Sequence, residues 1–427
     1  MVHPLIDKGI TVKILKSPAI STLFMFVSAN MVAAVVTGIG GIIQARWLPP
    51  ETLGNFQQYA ILTSYLAIGL VFVQDGLMRQ FPYLMGRGEK NAALAIAATA
   101  KTWYLGVASV FSLIIAALSI NALLHNDYVA VAGWLAQIVV AITGSYGIYQ
   151  QTIYRRSMEF KRLSYNSLIS SFVTLAGLLP VRLFGFYGLA IKSIAGNLTR
   201  IWFDAKYIPL KVKANWNKEV FYNLAKISIP LSLEGYIRTS FVTATFAFLV
   251  VKYCGKRDLG VYGIAAAFEG FAMIFVSSLM QMCDVRMTNR FGETESLRKS
   301  AKMLIAPILL GIVGAVVLGG ALCLFIGPFI RFFVPNYADS IPVVYVLSLG
   351  LPIGVLMMPT RLLRVALMYK SVYAIAVSRL IVLLVSVQFV SQNIVCFAGC
   401  KMLAEFASVI CGYVLLWRAM LQGGKNC

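Results

Sequence analysis

The sequence predicts an all-α integral membrane protein with about twelve transmembrane helices, arranged in two six-helix lobes related by a parallel internal repeat. Three observations lead there. Apolar runs of about twenty residues, long enough to cross a bilayer, recur along the chain, which is 59% hydrophobic with a mean hydropathy of +0.80. The 37 Lys and Arg far outnumber the 16 Asp and Glu and fall mainly on alternate loops. Short motifs of the first half return in the second at a nearly constant offset.

The runs place spans at roughly 19–46, 55–84, 92–122, 128–153, 163–181, 186–207, 220–252, 259–290, 300–327, 338–365, 371–391 and 394–418. The first follows Lys8, Lys13 and Lys16. Its apolar stretch is too long for a signal-peptide core and no small-residue cleavage site follows, so it is read as a retained anchor. Spans three, four, nine and eleven are the plainest, carried by Leu105–Leu124, Val129–Tyr149, Leu304–Ile326 and Val372–Val390. Span seven contains Pro230, which removes a helical N–H and is expected to break the helix near Glu234 and Arg238. Spans eight and ten exceed a bilayer's thickness and should include extramembrane turns. The lobes are then 1–207 and 220–427, joined by a basic cytoplasmic linker at 208–219.

With both termini on one side, 26 of the 37 basic residues fall on that side, six on the other and five within spans. Such asymmetry puts the basic side, and both termini, in the cytoplasm. Lys192, Lys226, Arg238, Arg379 and Lys401 balance the span acids Asp75, Glu234, Glu269, Asp284 and Glu405. The formal charge of +21 therefore reports orientation first.

Leu53-Gly54-Asn55-Phe56 returns 206 residues later as Leu259-Gly260-Val261-Tyr262. At the same offset Gly86 meets Gly292 and Glu89 meets Glu295; at a nearly equal one Tyr128, Arg155 and Lys161 meet Tyr337, Arg364 and Lys370. Six helices per half is an even number, so both halves enter the membrane in the same direction, and two bundles can rock around a cavity between them.

Enzyme chemistry is not expected. The chain has two His, no phosphate-binding glycine loop, no HExxH and no nucleophile elbow. Cys396 and Cys400 share a helix face, but the histidines are far away in sequence, and packing is the preferred reading over a metal site. The basic residues are not gathered into an arm or soluble domain, which argues against a nucleic-acid partner.

Ala45-Arg46-Trp47-Leu48-Pro49-Pro50-Glu51-Thr52-Leu53-Gly54-Asn55-Phe56 resembles the helix 1–2 signature of bacterial polysaccharide flippases, A-R-x-L-G-P-E-x-[YF]-G, and Asp75-Gly76-Leu77-Met78-Arg79 resembles the segment that closes helix two. Pro49 replaces a Gly, Leu53 replaces an aromatic, and Arg79 comes early. The family is the Wzx-type O-antigen or exopolysaccharide flippase, within the superfamily that includes multidrug exporters. The resemblance implies a twelve-helix, two-lobed fold in the bacterial inner membrane. It implies a cargo of undecaprenyl-pyrophosphate-linked oligosaccharide, contact with membrane lipids, and a polysaccharide polymerase and chain-length regulator as partners.

Charged groups within spans are candidate functional residues, because each costs several kcal/mol there unless paired or hydrated. Arg238, Arg379 and Lys192 are the candidate ligands of the pyrophosphate, with Arg supplying bidentate contacts. Glu234, Glu269 and Asp75 are candidate coupling or ion-pair acids, with a proton or sodium ion as the coupling species and no other cofactor. Asp75 with Arg79, Glu234 with Arg238, and Lys401 with Glu405 are spaced four apart and are expected to pair on one helix face. Arg79, Arg155 and Arg364 are placed at the cytoplasmic gate or headgroup level. Tyr146, Tyr149, Gln150 and Gln151 are read as an interfacial belt. A cation-coupled multidrug exporter and a membrane scaffold of a glycan-synthesis complex are the rival functions.

Overall fold

The computed structural model describes residues 18–157, 159–294, 296–390 and 392–423, and among them every regular element is helical. The helices are α1 (Pro18–Trp47), α2 (Pro50–Ser64), α3 (Ala67–Leu70), α4 (Gln74–Gly86), α5 (Lys90–Leu124), α6 (Tyr128–Arg156), α7 (Phe160–Ala176), α8 (Leu178–Phe184), α9 (Phe186–Tyr207), α10 (Lys218–Tyr236), α11 (Val242–Tyr253), α12 (Lys256–Thr294), α13 (Leu297–Lys302), α14 (Ile305–Phe333), α15 (Ser340–Ser348), α16 (Gly350–Leu356), α17 (Leu362–Val365), α18 (Tyr369–Ser386) and α19 (Ile394–Gly423). A π-helical turn, Ile237–Phe241, joins α10 to α11.

All twelve expected spans fall on these helices. Seven helices among the described residues are long and apolar enough to cross a bilayer, and up to nine spans result if each of two bent pairs is counted as one. The bends are 43° between Pro50–Leu70 and Gln74–Met85, and 48° between Ser340–Leu356 and Pro359–Val365. The long eighth and tenth spans thus resolve differently: α12 runs on through Thr294 as one helix, while the tenth breaks at Met357–Met358 ahead of Pro359. Spans six and seven carry four charged residues each, α9 holding Lys192, Arg200, Asp204 and Lys206. This is an integral, multi-pass membrane protein.

The chain packs as two compact units. One comprises the described residues up to Gln44 together with Leu66–Ile229; the other comprises Ala45–Tyr65 and the chain from Pro230 onward. In the first unit Lys101 donates to the Val212 carbonyl at 2.8 Å and Trp216 stacks near Trp103, so the segment after α9 is held against α5. Tyr149 and Gln150 are buried in this unit, and Tyr146 stacks on Tyr149. They form part of its interior, which corrects the interfacial-belt expectation for Tyr149 and Gln150.

In the second unit the repeated Leu-Gly motifs meet each other. The α1–α2 turn ends on Pro49 in extended backbone and starts α2 with Pro50, where the missing N–H costs no hydrogen bond. Tyr337 donates its hydroxyl to the Leu48 carbonyl of that turn at 3.1 Å. One turn later α2 crosses α12 with no side chain between the backbones. A Cβ on Gly54 would lie 1.7 Å from the Lys256 carbonyl oxygen, and one on Gly260 would lie 1.9 Å from that of Pro50. Leu53 and Leu259, the neighbours of this glycine pair, are both buried in the same apolar core. The close approach is the small-residue packing expected where helices associate without a hydrophobic drive from water.

Because the clashing atoms are backbone, Gly54→Ala or Gly260→Ala should destabilise the second unit by about 3 kcal/mol or more. Thermal unfolding of the detergent-solubilised protein checks this; an unchanged melting temperature in both variants would contradict the crossing.

Candidate functional site

Span seven is the local origin of the site. The helix passes through Pro230 without breaking, and Tyr373 donates its hydroxyl to the Pro230 carbonyl at 2.9 Å. The irregularity comes later, in the π-turn that carries Arg238. One extra residue per turn widens the helix there, a feature often found at functional sites. The bend before Pro359 supplies the other wall: it turns the short segment bearing Arg361 and α17 bearing Arg364 toward α10.

The result is a cavity of about 240 Å³ within the second unit, whose charged lining is Glu234, Arg238, Arg361, Arg364, Arg379 and Glu405. Met273, Met280 and Met357 contribute an adaptable apolar surface beside them. Glu234 receives Arg238 Nε at 2.9 Å and an ion pair from Arg364 Nη2. Arg379 Nη2 pairs with Glu405 from α19, and Arg361 with Asp284 from α12. Farther along α19, Lys401 Nζ is 2.6 Å from Glu269 Oε2 and lies over the ring of Tyr262. Glu405 is within electrostatic reach of both Arg238 and Lys401. The carboxylates and cations therefore alternate through spans seven, eight, ten, eleven and twelve.

The pairs are not those that sequence spacing suggests, with one exception. Glu234 and Arg238 do meet. Lys401 and Glu405 do not pair with each other: Lys401 turns to Glu269 and Glu405 to Arg379. Arg79 is exposed, Asp75 is half-buried, and no ion pair links them among the described residues; the Asp75 amide instead donates to Ser228 Oγ at 3.2 Å. Arg364 lines the cavity and reaches Glu234. Lys192 belongs to the first unit, where its Nζ donates to Gln44 Oε1 at 2.6 Å and its stem passes over Gly177, close enough that a Cβ there would clash with Lys192 Cγ. The side chain of Arg155 lies outside the described residues.

Arg361 was not a sequence candidate, and Asp284 and Glu405 were only span acids. The signal that would have found Arg361 is Pro359, since a bend before it brings a loop-level arginine into the helix bundle. Among the described residues, one donor of a cavity-lining arginine meets no acceptor. Arg379 Nε is buried and has no hydrogen-bond acceptor, an arrangement that is costly unless a guest supplies the acceptor.

Truncating one member of such a pair strands the other. Arg379→Ala should cost about 3–5 kcal/mol by leaving Glu405 uncompensated, while Arg379→Met combined with Glu405→Met should recover most of it. A double-mutant cycle of thermal melts measures the difference; equal losses in single and double variants would argue against the pair.

Residues 43–285 match the model of a family described as polysaccharide biosynthesis protein. Among solved structures, the chain is similar to a multidrug resistance MATE family transporter of the MOP superfamily in its inward-facing conformation. That likeness has a TM-score of 0.75 at 14% identity, covering 94% of this chain and 99% of that one. It is similar also to a MOP superfamily transporter from Pyrococcus furiosus, whose description notes a reverse polarity of the binding pocket, with a TM-score of 0.63 at 14% identity, covering 96% and 97%. No curated protein sequence matches. The structural likenesses establish the fold; the family model, matched over more than half of the residues, establishes kinship, and the chain belongs to the polysaccharide biosynthesis protein family.

Proposed function

We propose that the protein is a flippase. It moves an undecaprenyl-pyrophosphate-linked oligosaccharide, an O-antigen or exopolysaccharide repeat unit, from the cytoplasmic to the periplasmic leaflet of the bacterial inner membrane by alternating access of two lobes. The observation that carries this reading is the charged cavity with its unsatisfied Arg379 Nε–H. Four arginines against two glutamates make the lining favourable for an anion, and guanidinium matches phosphate oxygens through paired N–H donors. Membership of a polysaccharide biosynthesis family supports a glycan attached to that anion. The lipid tail stays in the bilayer, and the arginines hold only the diphosphate.

The same surplus disfavours the cation-coupled drug exporter, because an organic cation entering this cavity would face Arg238, Arg361, Arg364 and Arg379. The fold alone does not decide between these cargoes.

Lysine keeps the positive charge, and with it much of the pairing, while losing the planar fork. Arg238→Lys and Arg379→Lys should therefore lower flipping of a diphosphate-linked oligosaccharide in proteoliposomes by about tenfold, the equivalent of one bidentate contact worth about 1.4 kcal/mol. Wild-type rates in both variants at equal protein level would overturn the assignment. Drug resistance conferred on cells, with no flipping in vesicles, would instead favour the exporter.

A further inference from the structure

The segment between α9 and α10 is fixed in place, yet most of its lysines are left without acids. Residues 206–219 hold Lys206, Lys211, Lys213 and Lys218 against Glu219. Over 208–217 the chain has no helix, but three contacts fix its course within the first unit. Lys101 on α5 donates to the Val212 carbonyl at 2.8 Å. Trp216 lies against Trp103 and Phe221, with ring centroids 6.1 and 4.9 Å away. Arg162 on α7 donates to the Tyr207 carbonyl at 3.0 Å and also pairs with Glu159. Between these anchors Leu210 and Val212 are partly buried, while Lys211 and Lys213 are exposed.

The same edge carries aromatic side chains in the open. Trp202 is 59% exposed, Trp216 47% and Tyr207 38%. Lys206 Nζ lies 4.8 Å from the centroid of the Trp202 ring and 5.4 Å from that of Tyr207, so its amine is held at the level of both rings. Among the described residues, the ion pairs of this unit are Arg87 with Glu89 and Arg162 with Glu159, and they leave these lysines out. Exposed Trp and Tyr mark the headgroup level of a membrane protein. Anchoring adds to what the charges can do: a flexible segment would lose conformational freedom on binding, whereas this one has already lost it.

We infer that Trp202, Lys206, Tyr207, Lys211, Lys213 and Trp216 form a docking surface for the headgroups of anionic phospholipid. The lysines take the phosphate charge of the leaflet to which the positive-inside rule assigns this basic side, and the rings sit at the headgroup level beside them. Charge complementarity selects this occupant over zwitterionic lipid, whose headgroup brings its own cation. The exposed rings at the same level select a lipid surface over an acidic protein. The surface directly precedes α10, which begins in the first unit and continues from Pro230 in the second as the helix that carries Glu234. Bound lipid therefore steadies the start of that helix. The inference concerns the first unit and holds whatever cargo the second unit's cavity takes.

The test is titration of the full-length protein, in an uncharged detergent, with phosphatidylglycerol carrying a fluorescent acyl chain, followed by displacement with unlabelled lipid. Phosphatidylglycerol should displace the probe about tenfold better than phosphatidylcholine, and raising the salt from about 0.05 to about 0.5 M should weaken binding severalfold. Lys211→Gln combined with Lys213→Gln should weaken it about twentyfold at an unchanged melting temperature, since each lysine near an anionic surface contributes about fivefold. Equal displacement by the two phospholipids overturns the inference, and so does undiminished binding in the double variant. Binding of polyglutamate with no preference between the phospholipids would mark a dock for acidic protein and overturn it as well. The lipid and salt comparisons use the wild type alone, so they decide the matter even if the double variant fails to fold.

Discussion

A charge inside a membrane protein needs a partner, and in the second unit that requirement selects which helices must touch. Glu234 joins α10 to the π-turn and α17, Glu405 joins α19 to α18, Asp284 joins α12 to the segment before α17, and Lys401 joins α19 to α12. Breaking one such pair strands its partner at about 3–5 kcal/mol, a large fraction of the stability of a typical domain. Well-packed apolar residues could hold the same helices together as firmly. Stability alone therefore does not account for nine charged side chains at one place; a cavity with a task does.

The glycine crossing bears on the same unit from its opposite requirement. Where α2 and α12 meet, closeness comes from having no side chain at all, and the two glycines are the repeated ones, Gly54 and Gly260. Duplication thus left matched halves of one contact. It did not leave matched surroundings: Tyr337 is buried and reaches Leu48, whereas its counterpart Tyr128 is exposed. The repeated glycines build a scaffold, and the arginines of spans seven, ten and eleven line a cavity in the same unit.

Hydropathy placed every span on a helix, because a bilayer-length apolar run has few alternatives. The partners of the charges were far less legible. Spacing of four sees only pairs on one helix, so Glu234 with Arg238 was readable, while Glu269 with Lys401 and Glu405 with Arg379 required knowledge of which helices are neighbours. Pro230 drew attention to span seven for the wrong reason. A proline can sit in a membrane helix when other groups occupy the freed backbone positions, and the departure from α-geometry came at Ile237–Phe241, just after Gly235. Charge counting assumes straight spans, so it could not show that the bend before Pro359 brings Arg361 and Arg364 to one cavity.

The surplus of +21 over the whole chain and the surplus of two in the cavity lining do different work. The first is spread over loops, where water and counterions screen it within about 10 Å, and it can set orientation without choosing a cargo. The second sits where screening is weak, so it bears directly on what can enter. On the proposed reading a divalent anion is attracted by that surplus and matched by it. A cavity with one more cation would hold the diphosphate more tightly and would release it less readily. One with an acidic surplus would favour cationic guests on the same fold, which is how likeness of fold at 14% identity is compatible with a different cargo.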